Sequence, residues 1–304
     1  MLIAPILEQN GHNVKIYDSA LDGWENRLTI DEKNKIVMIG QSDENIAKVI
    51  SDFSPDIAAI SVLFSNLLES AHNIAKIIKK VKKNTTVVLG GNHISSAVTD
   101  YKISQMDKNS GLPNYIKDLE NDYFDLAMTG EGEFSFLDLV NKLSNNLDIS
   151  NVPGLVKKIA PKKYLINQPT RVHNLDILPR PARHLVDMEA YFKIGAFHSA
   201  KSRSKRVLSV MCSRGCPEKC TFCSTPQMWG QNTRWRSTKH IMDEIENDVR
   251  DFRIGEIQFD DDTITVNKKN LYSLCDELER IGLPWCTPNG TKVNYHFKKQ
   301  EEMY

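Results

Sequence analysis

The stretch "SVMCSRGCPEKCTFCST", residues 209–225, holds four of the six cysteines of this chain. Cys212, Cys216, Cys220 and Cys223 fall within twelve consecutive residues. Three kinds of site place cysteines this close together: disulfides, structural zinc and an iron–sulfur cluster. The organisation of the remaining sequence bears on the choice among them.

The composition is that of an ordinary globular protein. The 304 residues are 40% apolar and 26% charged, and 39 basic residues balance 39 acidic ones. The length predicts two domains. Because the chain has no net charge, we expect neither nucleic acid nor an anionic membrane surface as a partner. We find no apolar run near the roughly 18–20 residues of a membrane helix, and no secretory signal pattern at the N-terminus. We therefore expect a cytoplasmic protein with reduced thiols, which argues against disulfides.

The spacing of the cysteines separates the two metal sites. Zinc modules usually hold two ligand pairs a dozen or more residues apart, whereas Cys216, Cys220 and Cys223 share one short loop that follows a strand. A compact loop of this kind favours an iron–sulfur cluster over zinc. Three thiolates leave one iron open. We predict that Cys212 is only a strand-end residue, the alternative being that it ligates the fourth iron.

Residues 1–150 alternate helix and strand patterns. Helices are predicted at 42–53 and 69–83, and strands at 13–18 ("NVKIYD"), 55–64 ("PDIAAISVLF") and 85–91 ("TTVVLGG"). Continuous apolar strands between amphipathic helices are typical of a doubly wound, Rossmann-like α/β domain with a parallel sheet. Such a domain normally opens on a strand, whereas Met1 already lies in a predicted helix. We therefore expect the first strand to be missing from this chain.

Two further segments complete the predicted organisation. Residues 151–204, rich in proline and arginine near their middle, are predicted to form a connector that begins with a small hairpin. The α/β pattern resumes over 205–304, and a final helix is predicted near residue 297. A complete (β/α)8 barrel takes about 250 residues. Residues 205–304 therefore predict a partial barrel of about three βα units, and we expect the chain to be truncated at both ends.

The motif "CPEKCTFC", residues 216–223, resembles the cysteine motif of the radical S-adenosylmethionine (SAM) superfamily, including the aromatic residue before its last cysteine. The wider stretches "SRGCPEKCTFCSTPQMWG", "RWRS", "EIQFDDDTIT", "VVLGGNHIS" and "TGEGEFSFLDLV" are similar to radical SAM enzymes with an N-terminal cobalamin-binding domain. Class B methylases and the anaerobic cyclase of magnesium-protoporphyrin monomethyl ester are enzymes of this kind.

This resemblance implies a function and its cofactors. Cys216, Cys220 and Cys223 would hold a [4Fe-4S] cluster that binds SAM, with Phe222 near the adenine. Reductive cleavage of SAM would give a 5′-deoxyadenosyl radical, used to methylate or oxidatively cyclise a small-molecule substrate at carbon. An electron donor such as ferredoxin or flavodoxin would be needed. The alternatives are an electron-transfer or structural iron–sulfur protein, and an inactive cobalamin-binding fragment.

Four further residues are candidates for SAM binding. Asp261 and Asp262 match paired acids at the end of the second barrel strand, where a carboxylate suits the ammonium of SAM. Arg234 is a candidate for the carboxylate of SAM, and Asn289 ends the third strand. Ordinary roles for these residues are a turn with a helix cap, a surface arginine and a plain turn, and the sequence leaves them open.

The candidate cobalamin-binding residues follow three successive predicted strands. They are small, polar or acidic, and they lie at the edge where α/β sheets bind ligands. They are Ser61, Ser65, Gly90, Gly91, His93, Gly130, Glu131, Gly132 and Glu133. The alternative for the last four is a favourable helix cap. We assign His93 a hydrogen-bonding role, because the sequence does not identify the lower axial ligand of the corrin.

Overall fold

The computed structural model describes residues 1–33, 35–195, 197–199 and 201–291. The chain divides into two compact units, residues 1–171 (unit 1) and 172–304 (unit 2). Residues 151–204 are shared between these units, and their connector role stays a prediction. The helix predicted near residue 297 lies outside the described residues. Within the described part of the chain, no helix has both the length and the apolar character that crossing a membrane requires.

Unit 1 is built on a five-stranded sheet. The helices of unit 1 are α1 (Ile3–Gln9), α2 (Ser19–Asp22), α3 (Asp43–Phe53), α4 (Leu68–Val81), α5 (Asn92–Met106) and α6 (Glu133–Ser144). Its strands are β1 (Arg27–Asp31), β2 (Ile36–Ile39), β3 (Ile57–Ser61), β4 (Thr86–Gly90), β5 (Leu126–Met128), β6 (Leu155–Ala160) and β7 (Lys163–Ile166). The sheet order is β3-β4-β5-β6-β7, in which the first three strands are parallel and the hairpin β6–β7 is antiparallel. The α/β prediction with a parallel sheet is confirmed.

Local sequence explains the helices beside this sheet. The Ser42 side chain accepts a hydrogen bond from the backbone of Asn45, and acidic residues occupy the first turn of α3, where the helix dipole favours them. Ile46 and Ile50, four residues apart, are buried against the main core of unit 1. In α4, Lys79 and Lys80 stand in the last turn, which again suits the dipole.

The strand predicted at residues 13–18 is wrong. These residues have no strand assignment, although Val14 and Tyr17 pack against the two cores of unit 1. Their apolar pattern therefore reflects burial without ladder hydrogen bonds. The antiparallel pair β1–β2, which the sequence analysis did not predict, forms a separate two-stranded sheet.

Unit 2 contains a three-stranded parallel sheet. Its helices are α7 (Met188–Ile194), α8 (Thr225–Trp229), α9 (Thr238–Phe252) and α10 (Lys268–Ile281). Its strands are β8 (Val207–Val210), β9 (Ser213–Arg214), β10 (Arg234–Trp235), β11 (Glu256–Phe259) and β12 (Trp285–Cys286). The sheet order is β12-β11-β8. The strands alternate with α9 and α10, which gives two complete βα units and the strand of a third. Apolar side chains of these strands and helices form one core.

A buried ion network joins residues 172–187 to α9 inside unit 2. Arg183 Nη1 lies 2.9 Å from Glu244 Oε1 and 2.6 Å from Asp248 Oδ2, and its Nη2 donates to the Ser209 carbonyl at 2.8 Å. Arg180 also donates to Asp248. Burial raises the pKa of Asp248, whereas the charges of the two arginines oppose that shift. The arginines therefore compensate carboxylates that would be costly to bury alone.

Candidate functional site

The parallel strands of unit 1 bring several predicted cobalamin-binding residues to one edge. Ser61 is the last residue of β3 and pairs with Gly90, the last residue of β4. The loop after β5 meets the same region, because the Gly130 backbone N–H lies 3.4 Å from Ser95 Oγ in α5. The carboxyl ends of parallel strands are where α/β sheets bind ligands. The three strand ends therefore form one candidate surface.

Gly90, the last residue of β4, and Gly91, the residue after it, differ in whether the fold requires a glycine. Gly91 has φ +97°, and a Cβ there would stand 2.4 Å from the Val62 carbonyl oxygen. The fold itself therefore needs glycine at this position. A Cβ on Gly90 would meet only the Ile60 oxygen, at 4.0 Å. Gly90 thus leaves open space at the strand end, which suits close approach of a ligand.

The loop after β3 exposes an apolar surface beside these residues. The side chains of Leu63, Phe64 and Leu67 are exposed, Phe64 to 67%. Exposed apolar groups that lie together usually mark a binding surface. A flat, largely apolar ligand such as a corrin ring suits this chemistry.

Ser65 is the exposed end of a hydrogen-bonded network behind this surface. Its Oγ lies 2.8 Å from His93 Nδ1, and His93 Nε2 lies 3.1 Å from Asp118 Oδ2. The second oxygen of Asp118 lies 3.0 Å from His72 Nε2, and His72 Nδ1 lies 2.8 Å from the Tyr123 hydroxyl. Asp118 is buried, with 3% exposure. The predicted hydrogen-bonding role of His93 thus has specific partners inside unit 1.

The four candidates after β5 occupy different environments. Gly130 is exposed and Gly132 is half-buried, whereas the side chains of Glu131 and Glu133 are buried. Glu133 is the first residue of α6, where an acid suits the helix dipole. Gly130 is therefore the member of this group that faces solvent, and the helix-cap alternative fits Glu133.

In unit 2 the cysteine loop begins at the carboxyl end of the first parallel strand. β9 pairs with β10, so that Arg214 stands opposite Arg234 and closes the base of the loop. The Cys216 backbone N–H donates to the Gly230 carbonyl at 3.2 Å, and Cys223 donates to the Cys220 carbonyl at 3.1 Å. The loop is therefore folded back on itself at the mouth of the parallel sheet, as predicted for the end of a barrel strand.

All six cysteines, each within the described residues, are free thiols. Cys216 is buried, with Sγ 3.6 Å from Thr263 Oγ1, whereas Cys220 and Cys223 are exposed. Over residues 1–291, apart from the three undescribed positions, no three Cys, His, Asp or Glu side chains are gathered closely enough to hold a metal ion. The donor chemistry of three thiols on one loop fits an iron–sulfur cluster. Their assignment as ligands stays a prediction from spacing.

Cys212 lies in the core of unit 2, away from this set. Its side chain is fully buried among the apolar residues of the parallel sheet and α9. Burial, assisted by the nearby Asp261 carboxyl, raises the pKa of the Cys212 thiol well above its usual value. A metal ligand must be a thiolate. The environment therefore favours the interpretation of Cys212 as a strand-end residue.

The paired acids after β11 have separate environments. Asp261 is 2% exposed and accepts hydrogen bonds from the Cys212 backbone N–H, at 3.0 Å, and from the Ser213 hydroxyl. Burial raises its pKa to about 6, although these hydrogen bonds oppose the shift. Asp262 is half-buried and accepts from Thr225 Oγ1 at 3.0 Å. Burial raises the pKa of Asp262 as well.

The other three residues predicted to bind SAM have different surroundings. Arg234 donates to the carbonyls of Val172 and Trp229, at 2.5 and 3.0 Å. Asn289 Nδ2 donates to the carbonyls of Asp260 and Asp261, at 3.1 and 3.2 Å, and so joins the loop after β12 to the end of β11. Phe222 is 90% exposed. Arg234 thus supports local backbone in this structure, while Asn289 lies at the predicted strand-end position.

Comparison with known proteins identifies related sequences and folds. A family described as "B12 binding domain" matches residues 1–107. The chain is 31% identical over 312 aligned residues to cytidylyl-2-hydroxyethylphosphonate methyltransferase of Streptomyces wedmorensis, covering 96% of this chain and 55% of that enzyme. It is 26% identical over 250 residues to the anaerobic magnesium-protoporphyrin IX monomethyl ester cyclase of Rubrivivax gelatinosus, covering 80% of this chain and 40% of that enzyme.

A solved structure has a similar fold. The radical SAM methyltransferase TsrM of Kitasatospora setae, with cobalamin and a [4Fe-4S] cluster bound, superposes with a TM-score of 0.61 at 16% identity. The match covers 97% of this chain and 52% of TsrM. At this identity the likeness shows the fold alone. The chain thus spans about half the length of the first methyltransferase named above and of TsrM, 55% and 52% respectively.

Proposed function

Since the chain belongs to the radical SAM proteins that carry a cobalamin-binding domain, we propose that it is a cobalamin-dependent radical SAM methyltransferase. The observation that carries the proposal is the position of the three-cysteine loop. It begins at the carboxyl end of β8, the first strand of a parallel sheet, where enzymes built on parallel strands place their ligands. Methylation is preferred to cyclisation because the Streptomyces wedmorensis relative, at 31% identity, is a methyltransferase, whereas the cyclase is 26% identical.

Different residues of unit 2 would bind the cluster and SAM. Cys216, Cys220 and Cys223 would hold a [4Fe-4S] cluster, which with SAM and cobalamin supplies one-electron cleavage of SAM and methyl transfer. Of the two acids, Asp262 is the better partner for the ammonium of SAM, because Asp261 is buried and already accepts from the cysteine-loop base. Asp261 instead fixes the backbone from which that loop starts.

Unit 1 would bind cobalamin at the carboxyl edge of β3, β4 and β5. Gly90 leaves space for the ligand, the apolar loop after β3 suits the corrin ring, and Ser61 and Ser65 offer hydroxyl groups at its rim. The substrate is proposed to be a small molecule, and an electron donor such as ferredoxin or flavodoxin is proposed to reduce the cluster.

The proposal is tested by anaerobic reconstitution of the full chain with iron, sulfide and cobalamin. We expect about four iron atoms per chain, cobalamin binding, and release of 5′-deoxyadenosine or S-adenosylhomocysteine from SAM under reducing conditions. Replacing Cys216, Cys220 or Cys223 with Ala should remove the iron and its absorbance near 400 nm, as expected of a thiolate-held cluster. Cys275→Ala, a half-buried cysteine on α10, is the matched control and should retain both.

Two outcomes would contradict the proposal. A full cluster in Cys220→Ala would refute the ligand assignment. Loss of the cluster in Cys212→Ala, with no SAM cleavage by the unmodified chain, would instead support a four-thiolate electron-transfer centre. The burial of Cys212 in the core speaks against this second result.

A further inference from the structure

In the hydrogen-bonded network behind Ser65, the chemistry of the side chains indicates which group donates in each hydrogen bond. An ionised carboxylate only accepts hydrogen bonds, and each oxygen of Asp118 lies beside a histidine Nε2, at 3.0 Å for His72 and 3.1 Å for His93. Both histidines must therefore donate from Nε2. In a neutral imidazole the other nitrogen is then an acceptor. With both imidazoles neutral, His93 Nδ1 accepts from the Ser65 hydroxyl, and His72 Nδ1 accepts from Tyr123.

This direction determines what Ser65 offers to a ligand. Its only hydroxyl proton points inward to His93, so that its oxygen lone pairs face solvent. Ser65 is exposed, whereas the side chain of Asp118 is buried and those of the two histidines are mostly buried. Leu63, Phe64 and Leu67, whose side chains are apolar, lie within two residues of Ser65 in the sequence. The exposed end of the network is therefore a fixed hydrogen-bond acceptor within an apolar surface.

We propose that Ser65 accepts a hydrogen bond from a primary amide N–H at the rim of the bound corrin, with His93, Asp118 and His72 acting as positioning residues. This inference rests on the proposed cobalamin binding. A corrin ring carries primary amides around an apolar plane, and Ser65 lies beside side chains that suit such a plane. A rim carboxylate, which accepts but does not donate, would meet the lone pairs of Ser65 and be rejected.

The test compares cobalamin with its monocarboxylic acids, in each of which one rim amide is replaced by a carboxylate. Binding to the full chain is measured by equilibrium dialysis and by the absorbance of the corrin, without any turnover. We expect the unmodified chain to bind one of these acids about tenfold more weakly than cobalamin, since a hydrogen bond is lost and a repulsion gained. Ser65→Ala should bind cobalamin about fivefold more weakly and should no longer discriminate against that acid.

Three further variants separate this role from a structural one. Ser65→Thr keeps the hydroxyl and should keep the discrimination. Asp118→Asn keeps the shape but lets one histidine reverse its donor, so that the discrimination should fall while the chain remains folded. Ser144→Ala, at an exposed serine at the end of α6, is the matched control and should behave as the unmodified chain.

The outcomes distinguish this inference from the proposed function. If the unmodified chain binds no cobalamin, the proposed function fails and this inference fails with it. If cobalamin binds but Ser65→Ala discriminates among the acids as the unmodified chain does, only the role of Ser65 is overturned. Because Ser65 is exposed, its replacement does not threaten the fold, and a circular-dichroism melt of each variant verifies this.

Discussion

Asp261→Asn is expected to change how the stability of unit 2 depends on pH. Burial raises the pKa of the Asp261 carboxyl from its ordinary value near 4 to about 6. The folded state therefore holds this proton more tightly than the unfolded state does. The stability that the group contributes is complete below about pH 4 and is lost as the pH rises through 6. A shift of about two units corresponds to about 3 kcal/mol in total.

The asparagine variant stays neutral, so it should lack this loss. Between pH 5 and pH 8, the free energy of unfolding of the variant should rise relative to the unmodified chain by about 1.4 kcal/mol. Any constant cost of a lost hydrogen bond to Cys212 or Ser213 cancels in this difference between two pH values.

The measurement is urea unfolding of the metal-free chain, followed by tryptophan fluorescence at pH 5, 6, 7 and 8. Trp229, Trp235 and Trp285 place three of the four tryptophans in unit 2. Asp276→Asn, at an exposed aspartate on α10, is the control and should follow the unmodified chain. Parallel pH profiles of Asp261→Asn and the unmodified chain would refute the argument that burial dominates at Asp261.

Replacements at three other positions test the fold and the proposed cobalamin site. Arg183→Met should lower the free energy of unfolding by about 3 kcal/mol, since it removes an arginine that pairs with both Glu244 and Asp248. Arg236 still pairs with Glu244 and Arg180 with Asp248, so each carboxylate keeps one cation. Arg183→Lys should lose less, and equal losses in urea unfolding would contradict this. Gly91→Ala should cost about 1–3 kcal/mol, because φ is +97° and the new Cβ would overlap the Val62 carbonyl. Gly90→Ala should unfold like the unmodified chain but bind cobalamin more weakly in equilibrium dialysis, and unchanged affinity would remove Gly90 from the site.

Much of the fold was predictable because its signals are local. The apolar run of β3, the serine cap and acids of α3, and the apolar spacing of α9 each depend on a few neighbouring residues. The error at residues 13–18 has a different origin. Val14 and Tyr17 give a strand-like pattern because they are half-buried against the cores, whereas strand formation also requires a partner backbone that sequence alone does not identify.

The candidate site was predictable only where its residues follow strands or share a motif. Ser65 and His93 lie within four residues of the ends of β3 and β4, so that topology predicts their edge of the sheet. Asp118 lies 25 residues beyond His93, in a short helical turn, and His72 lies within α4. Neither carries a local signal of function. Likewise, the sequence predicted the same SAM-binding role for Asp261 and Asp262. Only their different burial in the structure distinguishes their proposed roles.

The shared carboxylate of Asp118 has a consequence for the divergence of related sequences. Losing one histidine leaves an acceptor oxygen of Asp118 without its donor, and losing Asp118 leaves two ring N–H groups without an acceptor, so each single change is costly on its own. Positions 72, 93 and 118 should therefore change together. Among homologues, an acidic residue at position 118 should occur mainly with histidine at both other positions, and lineages that lack one member should have replaced all three.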